Sequence, residues 1–181
     1  LSLILGPLEK LQKEEHAGRF QHHYQTMHRN ASRLLGLVNE LMDFRKAESG
    51  VLKLKVMPGS LELFLEEIAD EFTGLSEAKN NGFCVQVLDK LPQLWFDRQV
   101  LEKILLNLIS NAFKYTSNGG TITVRATRTL DQLSPSFENE LILRSSHHGK
   151  EYIFIQVADN GIGISKDSIK HLFERYYKIT D

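Results

Sequence analysis

An α+β chain, built as a helical hairpin followed by a two-layer α/β sandwich, is predicted by three features of the 181-residue sequence. First, Phe20, Tyr24, Met27, Ala31, Leu34, Val38 and Leu41 recur at alternating spacings of four and three. That is the seam of a helix packed against partner helices. Second, after residue 59 short β-prone runs interchange with segments of helical period, the signature of helices laid on one face of a mixed sheet. Third, the segment Leu101–Tyr115 carries Asn107, Asn111 and Lys114. At about 100° per residue these three fall within an arc of roughly 60°.

The elements follow in order. Leu1, Ile4, Leu5, Leu8 and Leu11 form a first apolar stripe. Pro7 within it removes a helical hydrogen bond, so a kink at Gly6-Pro7 is expected. The polar stretch Lys13–Gly18 separates this arm from a second, running from about Arg19 to Ala47. One hairpin cannot cover its own seam together with Leu35 and Met42, so two hairpins are expected to form a four-helix bundle. Arg45 and Lys46 followed by Gly50 make a helix stop. Weak alternation over Val51–Met57 suggests a short strand, and Pro58-Gly59 a turn. Ser60 is an N-cap candidate for an amphipathic helix through Leu61, Phe64, Leu65, Ile68, Phe72 and Leu75, ended by Asn80-Asn81-Gly82.

Phe83, Val85 and Val87 then share a strand face, and Cys84 is expected to be a buried strand residue. Leu94–Asp97 is a second short strand. The helix from about Arg98 to Tyr115 is expected to turn Leu101, Ile104, Leu105, Leu108 and Ala112 to the core. Ser117–Gly120 is a turn, and Thr121–Thr127 a strand with Ile122, Val124 and Ala126 covered. Leu130–Lys150 reads as an elongated loop with a brief strand near Leu141–Leu143. A strand ends at Asp159, and Ser165 caps a last helix in which Ile169, Leu172, Phe173 and Tyr176 share a face. The domains expected are a helical hairpin over 1–49, a linker over 50–59 and an α/β domain over 60–181.

Composition narrows the function. Net charge is −1, with 41% apolar and 25% charged residues, an ordinary compact-protein balance with no call for nucleic-acid binding. A single cysteine excludes an internal disulfide. No membrane span or signal peptide is visible, so this piece is expected to be cytoplasmic. The pairs His22-His23 and His147-His148 diverge if helical, and exposed polar side chains are expected there rather than metal ligands.

The chemistry sits in two places. Amide oxygens are hard ligands suited to Mg²⁺, and a lysine ammonium is a point charge for phosphate, so the face of Asn107, Asn111 and Lys114 reads as half of a Mg-nucleotide pocket. Taken alone, the same spacing describes any amphipathic surface helix. The second place is Tyr152-Ile-Phe-Ile-Gln-Val-Ala-Asp159-Asn-Gly161-Ile-Gly163-Ile. A carboxylate at a strand end can accept a hydrogen bond from an exocyclic amine such as adenine N6. Gly161 and Gly163 permit positive φ and the close approach of a flat ligand. The plainer alternative is a strand ending in an Asn-Gly turn. Lys166 occupies the third glycine position of a dinucleotide fingerprint, and no P-loop occurs. The His-Arg-Asp and Asp-Phe-Gly signatures of eukaryotic-type kinases are also absent.

Together these elements resemble the asparagine box and the first glycine box of the GHKL (Bergerat-type) ATPase domain shared by sensor histidine kinases, gyrase, Hsp90 and MutL. Asn107-x-x-x-Asn111-Ala-x-Lys114-Tyr115-Thr116 is similar to the sensor histidine kinase branch of two-component systems, as is the Phe173-Glu-Arg-Tyr176-Tyr177 string, which resembles that branch's phenylalanine box. The helical hairpin resembles the dimerisation and phosphotransfer domain that precedes this ATPase domain, whereas gyrase-like and Hsp90-like chains begin with the ATPase domain. Phe44-Arg-Lys-Ala-Glu-Ser-Gly50 and the long loop after Thr127 are similar to hybrid sensors, which carry a receiver domain on the same chain.

The resemblance implies ATP and Mg²⁺ as cofactors. Asp159 would read adenine, Asn111 would ligate Mg²⁺ with Asn107 beside it on the phosphates, Lys114 would support phosphate charge, and Tyr115 would flank the base. Gly161 and Gly163 would shape the hinge of an ATP lid. It further implies a protein-histidine kinase that is a homodimer through the hairpin, with a receiver aspartate as the onward acceptor, in the cytoplasmic portion of an inner-membrane sensor. The phospho-accepting histidine is expected before Leu1 and the second glycine box after Asp181, so no catalytic residue is assigned within the chain. Two alternatives stand beside this: a degenerate dimerisation and docking fragment, and another ATPase of the GHKL superfamily.

Overall fold

A computed structural model of the chain describes residues 21–50, 53–133 and 151–172. The chain divides into two compact units, Leu1–Leu54 and Lys55–Asp181. Among the described residues no helix is long and apolar enough to cross a membrane.

In the first unit one helix, α1 (Gln21–Glu48), runs for 28 residues, about 42 Å at 1.5 Å per residue. The Ser49 amide donates to the Arg45 carbonyl at 3.1 Å and Gly50 follows at φ 65°, the left-handed stop that glycine supplies at low cost. Of the seam residues, Ala31 is buried and Tyr24 half-buried, while Met27, Leu34, Val38 and Leu41 stay 44% to 55% exposed. The first arm, with its Leu1–Leu11 stripe and the Gly6-Pro7 kink, lies outside the described residues.

The second unit contains β1 (Met57–Gly59), α2 (Leu61–Lys79), β2 (Gly82–Val87), β3 (Leu94–Phe96), α3 (Arg98–Tyr115), β4 (Thr121–Thr127), a 3₁₀ turn (Leu130–Gln132), β5 (Phe154–Asp159) and α4 (Lys166–Ile169). β2, β4 and β5 form a sheet in that order, β2 parallel to β4 and β5 antiparallel to it. A parallel pair needs a crossover connection, and β3 with α3 supplies it. β1 and β3 make a separate antiparallel ribbon.

The core lies between the helices and the sheet. Leu61, Phe64, Leu65, Ile68 and Phe72 of α2 meet Leu105, Ile109, Ala112 and Phe113 of α3 over Ile122, Val124 and Ala126 of β4. Phe72 stacks on Phe113 with centroids 5.5 Å apart, and Phe83 of β2 meets Phe113 edge-on at 5.3 Å. Burial of aromatic and branched side chains on this scale dominates the stability of such a unit. Ser60 caps α2 by accepting the Leu63 amide. Asn80 ends it at φ 53°, a left-handed position that asparagine tolerates better than most residues.

Four sequence expectations are corrected. The turn expected at Pro58-Gly59 is a strand, pairing Met57 with Phe96, Pro58 with Trp95 and Gly59 with Leu94. Proline is tolerated there because the ribbon has only edge strands, and a Cβ at Gly59 would stand 3.2 Å from the Phe96 ring. The strand expected over Val51–Met57 does not extend upstream of Met57: residues 53–56 have no regular structure, and Val51 and Leu52 lie outside the described residues. Cys84 is exposed, not buried, because Phe83, Val85 and Val87 take the covered face and strand alternation sends Cys84 the other way. Ile104 and Leu108 remain 49% and 48% exposed: the buried stripe of α3 runs through Leu105, Ile109, Ala112 and Phe113, which puts Ile104 and Leu108 on the outward face.

Candidate functional site

α3 starts at a firm cap. The Asp97 side chain accepts the Val100 amide at 3.2 Å and the Lys55 amide at 2.6 Å. Those main-chain donors, Lys55 first and Val100 second, hold its carboxyl below the usual aspartate range. With Phe113, Ala112, Ile109 and Leu105 buried, the helix turns Asn107, Asn111, Lys114 and Tyr115 outward, and all four are exposed. The carboxamides of Asn107 and Asn111 have no side-chain hydrogen-bond partner among the described residues. The Lys114 ammonium donates to the Tyr115 hydroxyl at 3.1 Å and sits 4.8 Å from that ring's centroid.

The end of β5 is built as tightly. Asp159 pairs with Ile122 in the β4–β5 register. Next to it, the Asn160 side-chain oxygen accepts the Thr121 amide at 2.7 Å while the Asn160 amide donates to the Thr121 carbonyl at 3.2 Å, stitching the two strand ends together. Asp159 is exposed, and its Oδ1 accepts the Gly161 amide at 2.9 Å. The carboxylate therefore keeps its second oxygen for an outside donor.

The two elements meet at one point. The Ile162 amide donates to the Tyr115 carbonyl at 3.2 Å, so the turn after Asp159 is joined to the last turn of the helix that bears Asn111, one turn upstream. Gly161 is needed for this approach. A Cβ there would lie 2.8 Å from both the Tyr115 carbonyl carbon and Asp159 Oδ1, and closer still to the Tyr115 oxygen. Positive φ belongs to Gly163 alone of this pair, at 72°. The space at Gly161 thus admits the helix end.

The result is an open face with polar groups (Asn107, Asn111, Lys114, Asp159) and exposed apolar ones (Ile104, Leu108, Tyr115, Ile162, Ile164). A ligand with an aromatic ring, an exocyclic amine and an anionic tail matches that mixture. Among the described residues no cluster of three or more His, Cys, Asp or Glu side chains could hold a metal. The donor set fits Mg²⁺ as that ion is commonly held, by one protein oxygen with ligand phosphates and water. A groove of about 270 Å³ lies elsewhere, against Met57, Pro58, Leu63, Phe64 and Phe96, and offers no carboxamide. His22 and His23 are exposed, their rings 6.2 Å apart. The Phe173–Tyr177 string, the Leu141–Leu143 strand and Phe173 and Tyr176 of the last helix lie outside the described residues. Asn160 and Ile162 were not legible as site residues, because one acts through a strand-end bond and the other through its main chain.

Residues 96–181 match the family described as histidine kinase-, DNA gyrase B-, and HSP90-like ATPase. Histidine kinase P4 of Formosa agariphila is 31% identical over 99% of this chain and 12% of its own length. Sensor histidine kinase GacS of Pseudomonas protegens is 32% identical over 97% of this chain and 18% of its own. The chain thus spans less than a fifth of these relatives, and the alignments run through the helical segment as well as the α/β unit. Among solved structures, full-length ShkA in complex with AMPPNP superposes with a TM-score of 0.70 at 22% identity, covering 91% of this chain and 31% of that one. The histidine kinase ThkA, solved with the response regulator TrrA, gives 0.60 at 17% identity, covering 97% and 46%.

Proposed function

We propose, from a chain that belongs to the sensor histidine kinases and carries their ATPase domain, that its α/β unit binds ATP with Mg²⁺ on the face of α3 and serves protein-histidine phosphorylation in a two-component system. The observation carrying this reading is the bond from the Ile162 amide to the Tyr115 carbonyl, which joins an asparagine-bearing helix to a glycine-flanked aspartate far along the chain.

Asp159 would accept the adenine amine through its free oxygen, with Gly161 fixing the other. Tyr115 and Ile162 would flank the ring. Asn111 would offer its amide oxygen to Mg²⁺ and Asn107 would face the phosphates. The Lys114 ammonium, resting on Tyr115 in this structure, would swing by side-chain rotation to the anionic end. Bound Mg²⁺ would neutralise phosphate charge. The protein's own contribution is then positioning and charge stabilisation. In the transfer, an imidazole nitrogen attacks the γ-phosphorus, the bond to the β–γ bridging oxygen breaks, ADP leaves, and the imidazole proton passes to solvent or a base. Onward transfer would be to an aspartate of a receiver domain, as the pairing of ThkA with a response regulator suggests for that relative. The exposed stripe Leu34, Leu37, Val38, Leu41 and Met42 supports a second copy as the cover of α1, and a place on the cytoplasmic side of an inner-membrane sensor is the matching location.

Titration of a fluorescent ATP analogue with and without Mg²⁺, beside the Asp159→Asn variant, tests the reading. Asparagine can still accept the Gly161 amide, so the fold should keep its melting temperature while binding is lost. Equal binding by the variant would overturn the assignment of Asp159, and no binding by a chain extended past residue 181 would overturn the ATP reading.

A further inference from the structure

α2 and α3 are tied at their C-terminal ends by one side chain. Lys79, in the last turn of α2, donates its ammonium to the main-chain carbonyls of Phe113 and Thr116, the second at 3.2 Å. Its own carbonyl accepts the Gly119 amide at 3.2 Å. Lys79 is thus engaged through both ends with the segment in which α3 stops and β4 begins.

That segment needs an external cap. The last four carbonyls of a helix have no partner within it, and a left-handed glycine commonly supplies donors for them. α3 has none, since its C-cap Thr116 is extended at φ −94°. The Thr116 amide takes the Ala112 carbonyl and the Ile162 amide takes that of Tyr115. The Lys79 ammonium takes those of Phe113 and Thr116, placing a positive charge at the negative end of the helix dipole. A lysine has three donors to spread over such a cluster.

We propose that Lys79 is a positioning residue for the nucleotide: it touches no ligand, and it fixes the turn from which Lys114 and Tyr115 project and to which the Asp159–Ile162 turn is joined. The role in nucleotide binding rests on the ATP reading given above. Without the clamp the Tyr115 carbonyl is free to tilt, and the spacing between the carboxamides of α3 and the Asp159 carboxylate is no longer fixed.

A cap that served stability alone would change the unfolding midpoint and leave the affinity of the folded protein unchanged. The test therefore compares Lys79→Met and Lys79→Arg with the wild type in two measurements. One is amide exchange without nucleotide, reading Ile162 against Ile122 and Val124 of β4. The other is affinity for a trinitrophenyl-ATP probe with Mg²⁺, well below the unfolding transition. Lys79→Met should speed exchange at Ile162 about tenfold while β4 is unchanged, and weaken the probe about tenfold, the equivalent of one lost charge-assisted interaction. Arginine should recover much of both. Exchange that rises equally in β4, or Ile162 exchange that does not change, overturns the clamp. Faster Ile162 exchange with unchanged probe affinity overturns the positioning role. Probe affinities are read in the chain extended past residue 181, and if its wild type binds no probe, the ATP reading fails and the nucleotide role with it, while the exchange data still decide whether Lys79 holds the turn. Lys79→Gln replaces the methionine variant should that one not fold.

Discussion

Replacing Gly161 with alanine should do more damage than its single methyl group suggests. The new Cβ would be forced to 2.8 Å from the Tyr115 carbonyl carbon and from Asp159 Oδ1, and nearer to the Tyr115 oxygen. Ordinary contacts of this kind need roughly 3.4 Å or more. Neither neighbour is the loose end of a flexible chain: one is helix backbone and the other is held by the Gly161 amide. The helix end and the turn must separate, which breaks the Ile162–Tyr115 bond. Overpacking of this sort costs about 1–3 kcal/mol and the lost bond about 0.5–1.5 kcal/mol, so about 1.5–4.5 kcal/mol in total. For a unit of this size that is a fall of roughly 10 °C in Tm. Gly163→Ala is the control: its Cβ meets nothing within 4 Å and only the φ of 72° is strained, which costs about 1–2 kcal/mol. Thermal unfolding by circular dichroism measures the pair, and ATP-analogue titration below the transition should find Gly161→Ala the weaker binder by more than about tenfold. A Gly161→Ala variant no less stable than Gly163→Ala, or within about 0.5 kcal/mol of wild type, would refute the joint as the organising contact of the site.

Other outcomes are as specific. Asn111→Ala should weaken Mg²⁺-dependent binding more than metal-free binding, because an amide oxygen acts on the ion; equal losses in paired titrations would remove its ligand role. On the dimer proposed above, Leu34→Asp, at a position 55% exposed on α1, should leave a monomer in sedimentation at micromolar concentration, since a charge covered by the second copy would be unpaired; a wild type that is itself monomeric would remove the dimer. Asp89 accepts the Thr127 hydroxyl at 2.7 Å and the Arg128 amide at 2.8 Å, and these bonds, Thr127 first, hold its carboxyl below the ordinary 3.8. A depressed carboxyl stabilises the fold above its unfolded pKa and loses that contribution as pH falls through the folded one. The Tm of wild type should therefore drop more steeply than that of Asp89→Asn below about pH 4; parallel acid limbs would show that Asp89 does not carry the effect.

Much of the α/β unit could be read from the chain because local and global signals agree there. α3 spans Arg98–Tyr115 as its apolar period indicates, although Asp97, read in the sequence as the end of a strand, is its cap, and Thr121–Thr127 alternates cleanly as a strand with its apolar residues inward. Two of the failures come from tertiary partners outvoting local chemistry. Pro58-Gly59 looks like a turn until β3 lies beside it. Ile104 and Leu108 look like core residues because hydrophobicity alone does not say which side of a broad apolar arc meets the sheet. Cys84 looks buried by residue type alone, whereas the parity of Phe83, Val85 and Val87 points it outward. Within the candidate site, Asn107, Asn111, Lys114 and Asp159 are picked out in the sequence by type and spacing, and the structure leaves all four exposed. The main-chain bond of Ile162 and the reach of Lys79 to another helix leave no mark in sequence pattern, because each depends on a neighbour more than thirty residues away.

The joint between Tyr115 and Ile162 uses only peptide atoms, and that has an evolutionary corollary. Side chains at both positions can be exchanged freely as far as this weld is concerned, so aromatic, aliphatic or polar substitutes could tune ligand preference without loosening the scaffold. The constraint falls on Gly161, whose lack of a side chain lets the strands of backbone come together, and drift should halt there while its neighbours diversify.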